Sequence, residues 1–191
     1  MPQNFAFTAA AFEGSLVALA IVLGWLFHQQ PTATFRFDAF DAGIGCAATL
    51  PLVTFFWLCM RLPFRPLGRI LAILDETIIP VFRECGYPQL IILAALAGVG
   101  EEMLFRGIVQ ATVTAWIGEP YGIAAGLLIS ATLFGLLHFL TATYAILAGL
   151  IGLYLGWLWL VSGNLLTPIV VHGLYDFIAL AYLVKWRSPQ S

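Results

Sequence analysis

Apolar residues in this chain do not alternate with polar ones. They run in long blocks, at about residues 9–28, 42–60, 89–116, 121–143, 144–162 and 165–186. Each block approaches the about 20 residues that a helix needs to cross a hydrocarbon core of about 30 Å. Continuous runs suit helices, which satisfy their own backbone groups, and not the alternating strands of a closed barrel. The pattern therefore predicts an all-α polytopic membrane protein with six transmembrane helices. Between the second and third blocks the pattern changes. From Arg61 to Pro88, Leu67, Ile70, Leu71, Leu74, Ile78 and Phe82 recur at helical spacing, while Arg65, Arg69, Asp75, Glu76 and Arg83 fall largely elsewhere. That spacing predicts an amphipathic helix lying at the interface, broken or kinked at Pro80.

Composition supports the same picture. Hydrophobic residues make up 61% of the chain and charged residues 9%, against about 25% charged in soluble proteins. Six spans leave no room for a soluble domain in 191 residues, so 1–191 reads as a single integral membrane domain, with no repeat or linker visible. A net charge of -2 without a long basic run excludes a nucleic-acid partner and leaves the lipid bilayer. Four of the eight basic residues, Arg61, Arg65, Arg69 and Arg83, lie in the amphipathic segment, and Lys185 and Arg187 follow the last block. The positive-inside bias puts both segments, and hence both termini, in the cytoplasm, with the plasma (inner) membrane as the expected location. No Lys or Arg precedes the first block, so that block is expected to stay as a span and not to be cleaved as a signal. Cys46, Cys59 and Cys85 form no C-x-x-C pair and read as apolar filler. Gly122 with Gly126, and Gly152 with Gly156, read as close-packing positions between helices.

Within the third, fourth and sixth blocks lie Glu101, Glu102, Arg106, His138, His172 and Asp176. A charged side chain at a helix centre costs roughly 2.5 to 3.5 kcal/mol on insertion, so these groups must face one another or a wet cavity. Glu102 sits four residues before Arg106, a favourable pairing, which leaves Glu101 on an adjacent face with its carboxylate uncommitted. His172 and Asp176 also share a face, and Phe134 lies one turn before His138. Two carboxylates, two histidines, an acid and an arginine in three spans point to chemistry over a passive polar network. Glu13 and His28 lie near the ends of the first block, where they reach the interface, and are assigned no role. Ser130 and Ser162 have no adjacent base, so serine chemistry is weakly supported.

The segments Glu101-Glu102-Met-Leu-Phe-Arg106-Gly107, Phe134-Gly-Leu-Leu-His138 and His172-Gly-Leu-Tyr-Asp176 resemble, in order and placement, the three signature motifs of the CAAX protease and bacteriocin-processing (CPBP, or Abi) family. The resemblance covers about residues 89–186. It implies an intramembrane peptidase acting on a membrane-associated protein or peptide: a prenylated CAAX end, a sorting tail or a bacteriocin leader. The expected catalytic residues are Glu101 and His138, which activate water, and His172 oriented by Asp176, which stabilises the oxyanion or protonates the leaving amine. Glu102 and Arg106 are expected to support the site structurally. The last motif most often ends in Asn, and Asp176 departs from that; an ionised Asp accepts but does not donate. Glu101, His138 and His172 are the candidate ligands for a divalent metal such as zinc, but the metal-free, glutamate-type version is favoured because Glu101 cannot readily be both ligand and base. The competing class is a non-proteolytic proton-coupled transporter or immunity scaffold, built on the same buried groups. Counting about 1.5 Å per residue puts His138 shallower than Glu101 and His172, so the prediction is a cavity reached from the cytoplasmic half.

Overall fold

The structure, a computed structural model, describes residues 2–187, with side chains from Phe7 onward. Among these residues every regular element is helical. The chain runs through α1 (Pro2–Phe27), α2 (Ala39–Arg61), α3 (Arg65–Ile73), α4 (Ile79–Phe82), α5 (Tyr87–Glu102), α6 (Ala111–Ile117), α7 (Gly122–Leu137), α8 (Ala142–Ser162) and α9 (Leu166–Ala181). Three wider, π-helical stretches continue these helices, at Leu74–Ile78, Met103–Gln110 and Tyr182–Trp186.

Four helical segments are long and apolar enough to cross a membrane: Phe7–Phe27, Ala39–Arg61, Ala142–Ser162 and Leu166–Trp186. The fourth predicted block supplies the shorter apolar helix Gly122–Leu137. The third is divided by its π-helical stretch into α5 and α6, where Glu101, Glu102 and Arg106 interrupt the apolar run. Length and composition thus single out four of the six predicted spans.

The segment after α2 carries the predicted amphipathic pattern: Leu67, Ile70 and Leu71 are buried, while Arg65 and Arg69 are exposed. The break comes before Pro80, at the wide turn Leu74–Ile78, and Pro80 itself sits in the first turn of α4. A proline lacks the N–H that its preceding turn needs, and a first turn tolerates that loss.

Helix α5 packs on α9, which also packs on α2; α1 covers α5, and α7 lies between α6 and α8. The α5–α9 crossing is so close that a Cβ on Gly98 would come within 2.9 Å of the Gly173 nitrogen. Backbone contact there brings the chain on either side of Glu101 and His172 together. Gly126 faces the Gln110 carbonyl, and Gly152 faces the Phe134 ring, so the small-residue pairs are spent on packing inside this chain. At one end Asn164 joins two turns: its amide accepts from Arg36 N at 3.0 Å and donates to the Arg36 carbonyl at 2.9 Å and to Asp41 Oδ2 at 2.7 Å. This fixes where α9 starts, and therefore the height of His172. Cys46, Cys59 and Cys85 are free thiols.

Candidate active site

The site begins where α5 gives way to the π-helical stretch. Widened turns of this kind often mark functional positions, because they re-aim side chains. Arg106 Nη1 donates to Glu102 Oε1 at 2.8 Å, and both side chains are fully buried. Its Nη2 donates to the Gly152 carbonyl at 2.7 Å, which ties α8 to the same group. The guanidinium lies 5.1 Å from the Phe134 ring centre, a cation–π contact from a third helix.

Across the α5–α9 crossing, His172 Nδ1 donates to the same Glu102 Oε1 at 2.8 Å. His172 Nε2 lies 3.4 Å from Asp176 Oδ2, one turn further along α9. The pairing of Glu102 with Arg106 matches the expectation from spacing, but Glu102 does more than brace its own helix. It is the nearer carboxylate to His172, with Asp176 the longer contact. Spacing along one helix could not reveal this, because the bond runs between two.

His138 is the first residue beyond α7, and its Nδ1–H donates to the Phe134 carbonyl at 2.8 Å. A carbonyl oxygen only accepts, so the proton sits on Nδ1 and Nε2 is left with a lone pair. The imidazole stacks on Phe134, with ring centres 4.4 Å apart and planes 20° from parallel. That stack turns Nε2 toward Glu101 Oε2, 3.7 Å away. This Glu101 oxygen is buried and has no hydrogen-bond partner among the described residues. The shallow position expected for His138 is offset because α7 is short and ends inside the site.

His138, His172 and Asp176 open onto a cavity of about 280 Å³. Its other walls are mainly apolar and come from Phe55 and Cys59 of α2, Leu67 and Leu71 of α3 and Ile151 of α8. Glu101 stands one side chain back, behind His138. The residues proposed from sequence as Glu101, His138, His172 and Asp176, with Glu102 and Arg106, are thus brought together from α5, α7 and α9.

Residues 84–178 match the family model described as Type II CAAX prenyl endopeptidase Rce1-like. This match places the chain in the Rce1-like CAAX protease family. No curated protein and no solved structure matches the chain. The Rce1-like segment contains all six of these polar residues, and the four long apolar helices make this family member an integral membrane protein.

Among the described residues, no three His, Cys, Asp or Glu side chains are grouped to hold a metal ion. Both nitrogens of His172 already face carboxylates, so it has no lone pair aimed elsewhere. Ser130 Oγ donates to the Phe105 carbonyl at 2.9 Å and Ser162 Oγ to the Asn164 carbonyl at 3.1 Å, which commits both hydroxyls to structure. His28 is exposed.

Glu13 is different. It belongs to α1, outside the matched segment, yet Asp176 and His172 are its electrostatic neighbours, and it acts on Glu101 as well. The sequence reading left it at the interface. The signal that places it inward is the series Glu13, Val17, Ala20 and Gly24, spaced as one helix face, of which Ala20 and Gly24 are buried.

Proposed function

We propose that this protein is an intramembrane endopeptidase in which Glu101 and His138 activate a water molecule for attack on a peptide carbonyl. One observation carries the reading: two acceptor atoms, Glu101 Oε2 and His138 Nε2, face each other at 3.7 Å from different helices. That separation exceeds a hydrogen bond, and two acceptors cannot bond directly. A water molecule, with two O–H groups, suits both. Glu101 takes the proton as the water oxygen adds to the carbonyl carbon. His172, anchored through Nδ1 by Glu102 at 2.8 Å, turns its Nε2–H from the longer 3.4 Å contact with Asp176 to the oxyanion. Glu101 then passes its proton to the amide nitrogen as the C–N bond breaks.

The apolar cavity seats the lipid-like or apolar part of a membrane-associated substrate, and a prenylated CAAX end is the substrate that the family name favours. In this reading 1–191 acts as one domain with six membrane-embedded helical blocks and cytoplasmic termini, and α3 lies at the interface with its exposed arginines toward headgroups.

The test uses purified protein in lipid nanodiscs with a farnesylated CAAX peptide and its unprenylated counterpart. Wild type should cleave the farnesylated peptide. Glu101→Ala, His138→Ala and His172→Ala should insert normally and lose at least about 100-fold in kcat. Full activity in all three would remove the mechanism, and proton-linked uptake in their place would favour a transporter. Activity after exhaustive chelation, compared with untreated protein, measures the metal requirement separately.

A further inference from the structure

The first helix brings a carboxylate to this site from outside the family-matched segment. A Cβ on Gly100 would come within 2.7 Å of the Glu13 carbonyl oxygen, so the Glu13 backbone lies directly against the residue preceding Glu101. The next turns of α1 anchor it there, since Leu16 and Val17 pack against the core and Ala20 is fully buried within it. Its carboxylate is within electrostatic reach of Asp176, His172 and Glu101. Its Oε2 is buried, with no hydrogen-bond partner among the described residues.

An apolar residue would fill this position at lower cost, because a desolvated carboxylate oxygen without a donor is destabilising. The terminal nitrogens of Arg106 and both nitrogens of His172 are already committed, and the unpartnered Arg106 Nε makes no bond to Glu13. Arg106 serves Glu102 and the Gly152 carbonyl, and His172 faces Glu102 and Asp176. An ionised carboxylate can only accept, so what completes Glu13 is a donor brought by the substrate. A peptide bond carries one such group beside the carbonyl under attack, its N–H.

Resting on the endopeptidase reading above, we propose that Glu13 is a further catalytic residue, whose buried oxygen accepts a hydrogen bond from the N–H of the scissile amide and holds the amine as it departs. In this step the C–N bond breaks and its electron pair stays on nitrogen. Nitrogen takes the proton that Glu101 removed from water. The original N–H remains on nitrogen throughout, bonded to Glu13, which neither gains nor loses a proton. The interaction strengthens once the nitrogen of the collapsing intermediate takes the Glu101 proton and its N–H becomes a charge-assisted donor, so it favours amide cleavage over hydrolysis of bonds that lack an N–H.

The decisive experiment compares a farnesylated CAAX peptide with its analogue carrying an ester at the bond that wild type cuts. Glu13→Leu should lower kcat on the amide about 10- to 100-fold, the effect of one charge-assisted hydrogen bond, and change ester cleavage less than about threefold. Its melting temperature should equal or exceed that of wild type, because the unpartnered acid is gone. Glu13→Gln keeps an accepting oxygen and should retain most amide cleavage. An equal loss on amide and ester, an unchanged amide rate, or a failure of both variants to fold would each overturn the proposal. Glu101→Ala is measured in parallel: if it is inactive while Glu13→Leu matches wild type, only this inference falls, whereas full activity of Glu101→Ala removes the endopeptidase reading with it.

Discussion

One carboxylate oxygen, Glu102 Oε1, receives both Arg106 and His172 at 2.8 Å in a fully buried setting. Removing it leaves two buried donors without an acceptor. Glu102→Ala should therefore cost about 3 to 5 kcal/mol, the penalty for breaking a buried charged pair, read as a fall in thermal stability in detergent. Glu102→Gln keeps an acceptor and should cost clearly less. Phe134 is a second pivot, touching Phe105, His138, His172 and Arg106 through its ring. Phe134→Leu should retain the fold, yet lower kcat by freeing the His138 imidazole from its stack, with KM nearly unchanged. The residues themselves were legible in the sequence because ionisable groups in apolar blocks are costly enough to demand a reason. Their partners were legible only within one helix, as with Glu102 and Arg106. The Glu102–His172 bond and the approach of Glu13 depend on how helices cross, which spacing along the chain does not encode.

At the level of elements, the α5–α9 crossing decides whether the site exists. Gly98 lies against the Gly173 nitrogen and the Ile169 carbonyl, so any side chain there separates the two helices. Gly98→Ala should destabilise by about 1 to 3 kcal/mol, as overpacking does, and should reduce cleavage beyond what the lost folded fraction explains. The segment over the cavity is held differently. Arg187 makes a two-pronged ion pair with Asp75, at 2.7 and 2.9 Å, which fastens the end of the chain to the turn after α3. Such a pair near the surface is worth about 1 kcal/mol or less. Asp75→Asn should barely alter stability, but it should change KM, because α3 and its following turn wall the cavity. The amphipathic character of this stretch was visible from its period, whereas the π-helical turns were not. A wide turn inserts one residue per several, and no residue type announces it.

For the whole molecule, the all-helical class followed directly from continuous apolar runs, since of the two architectures that satisfy the backbone in lipid, helices and closed barrels, only helices suit unbroken runs. Block counting read the third and fourth runs as spans like the rest. The structure gives the third a widened centre and the fourth a helix of 16 residues. The cavity of about 280 Å³ was beyond sequence reasoning, because its walls come from α2, α3, α8 and α9 at once. Filling it tests its use. Cys59→Trp should raise KM for a farnesylated peptide several-fold while leaving an unprenylated peptide little affected, as measured by competition between the two.

The cavity walls from α2 and α3 precede residue 84, where the family match begins, while every histidine and acid of the matched cluster follows it. In the proposed mechanism the groups that cut the bond thus lie, Glu13 apart, in the matched stretch, while part of the wall that would select the substrate lies before it. A chimera that exchanges residues 28–83, leaving Glu13 and the matched stretch in place, is expected to transfer substrate preference while conserving turnover.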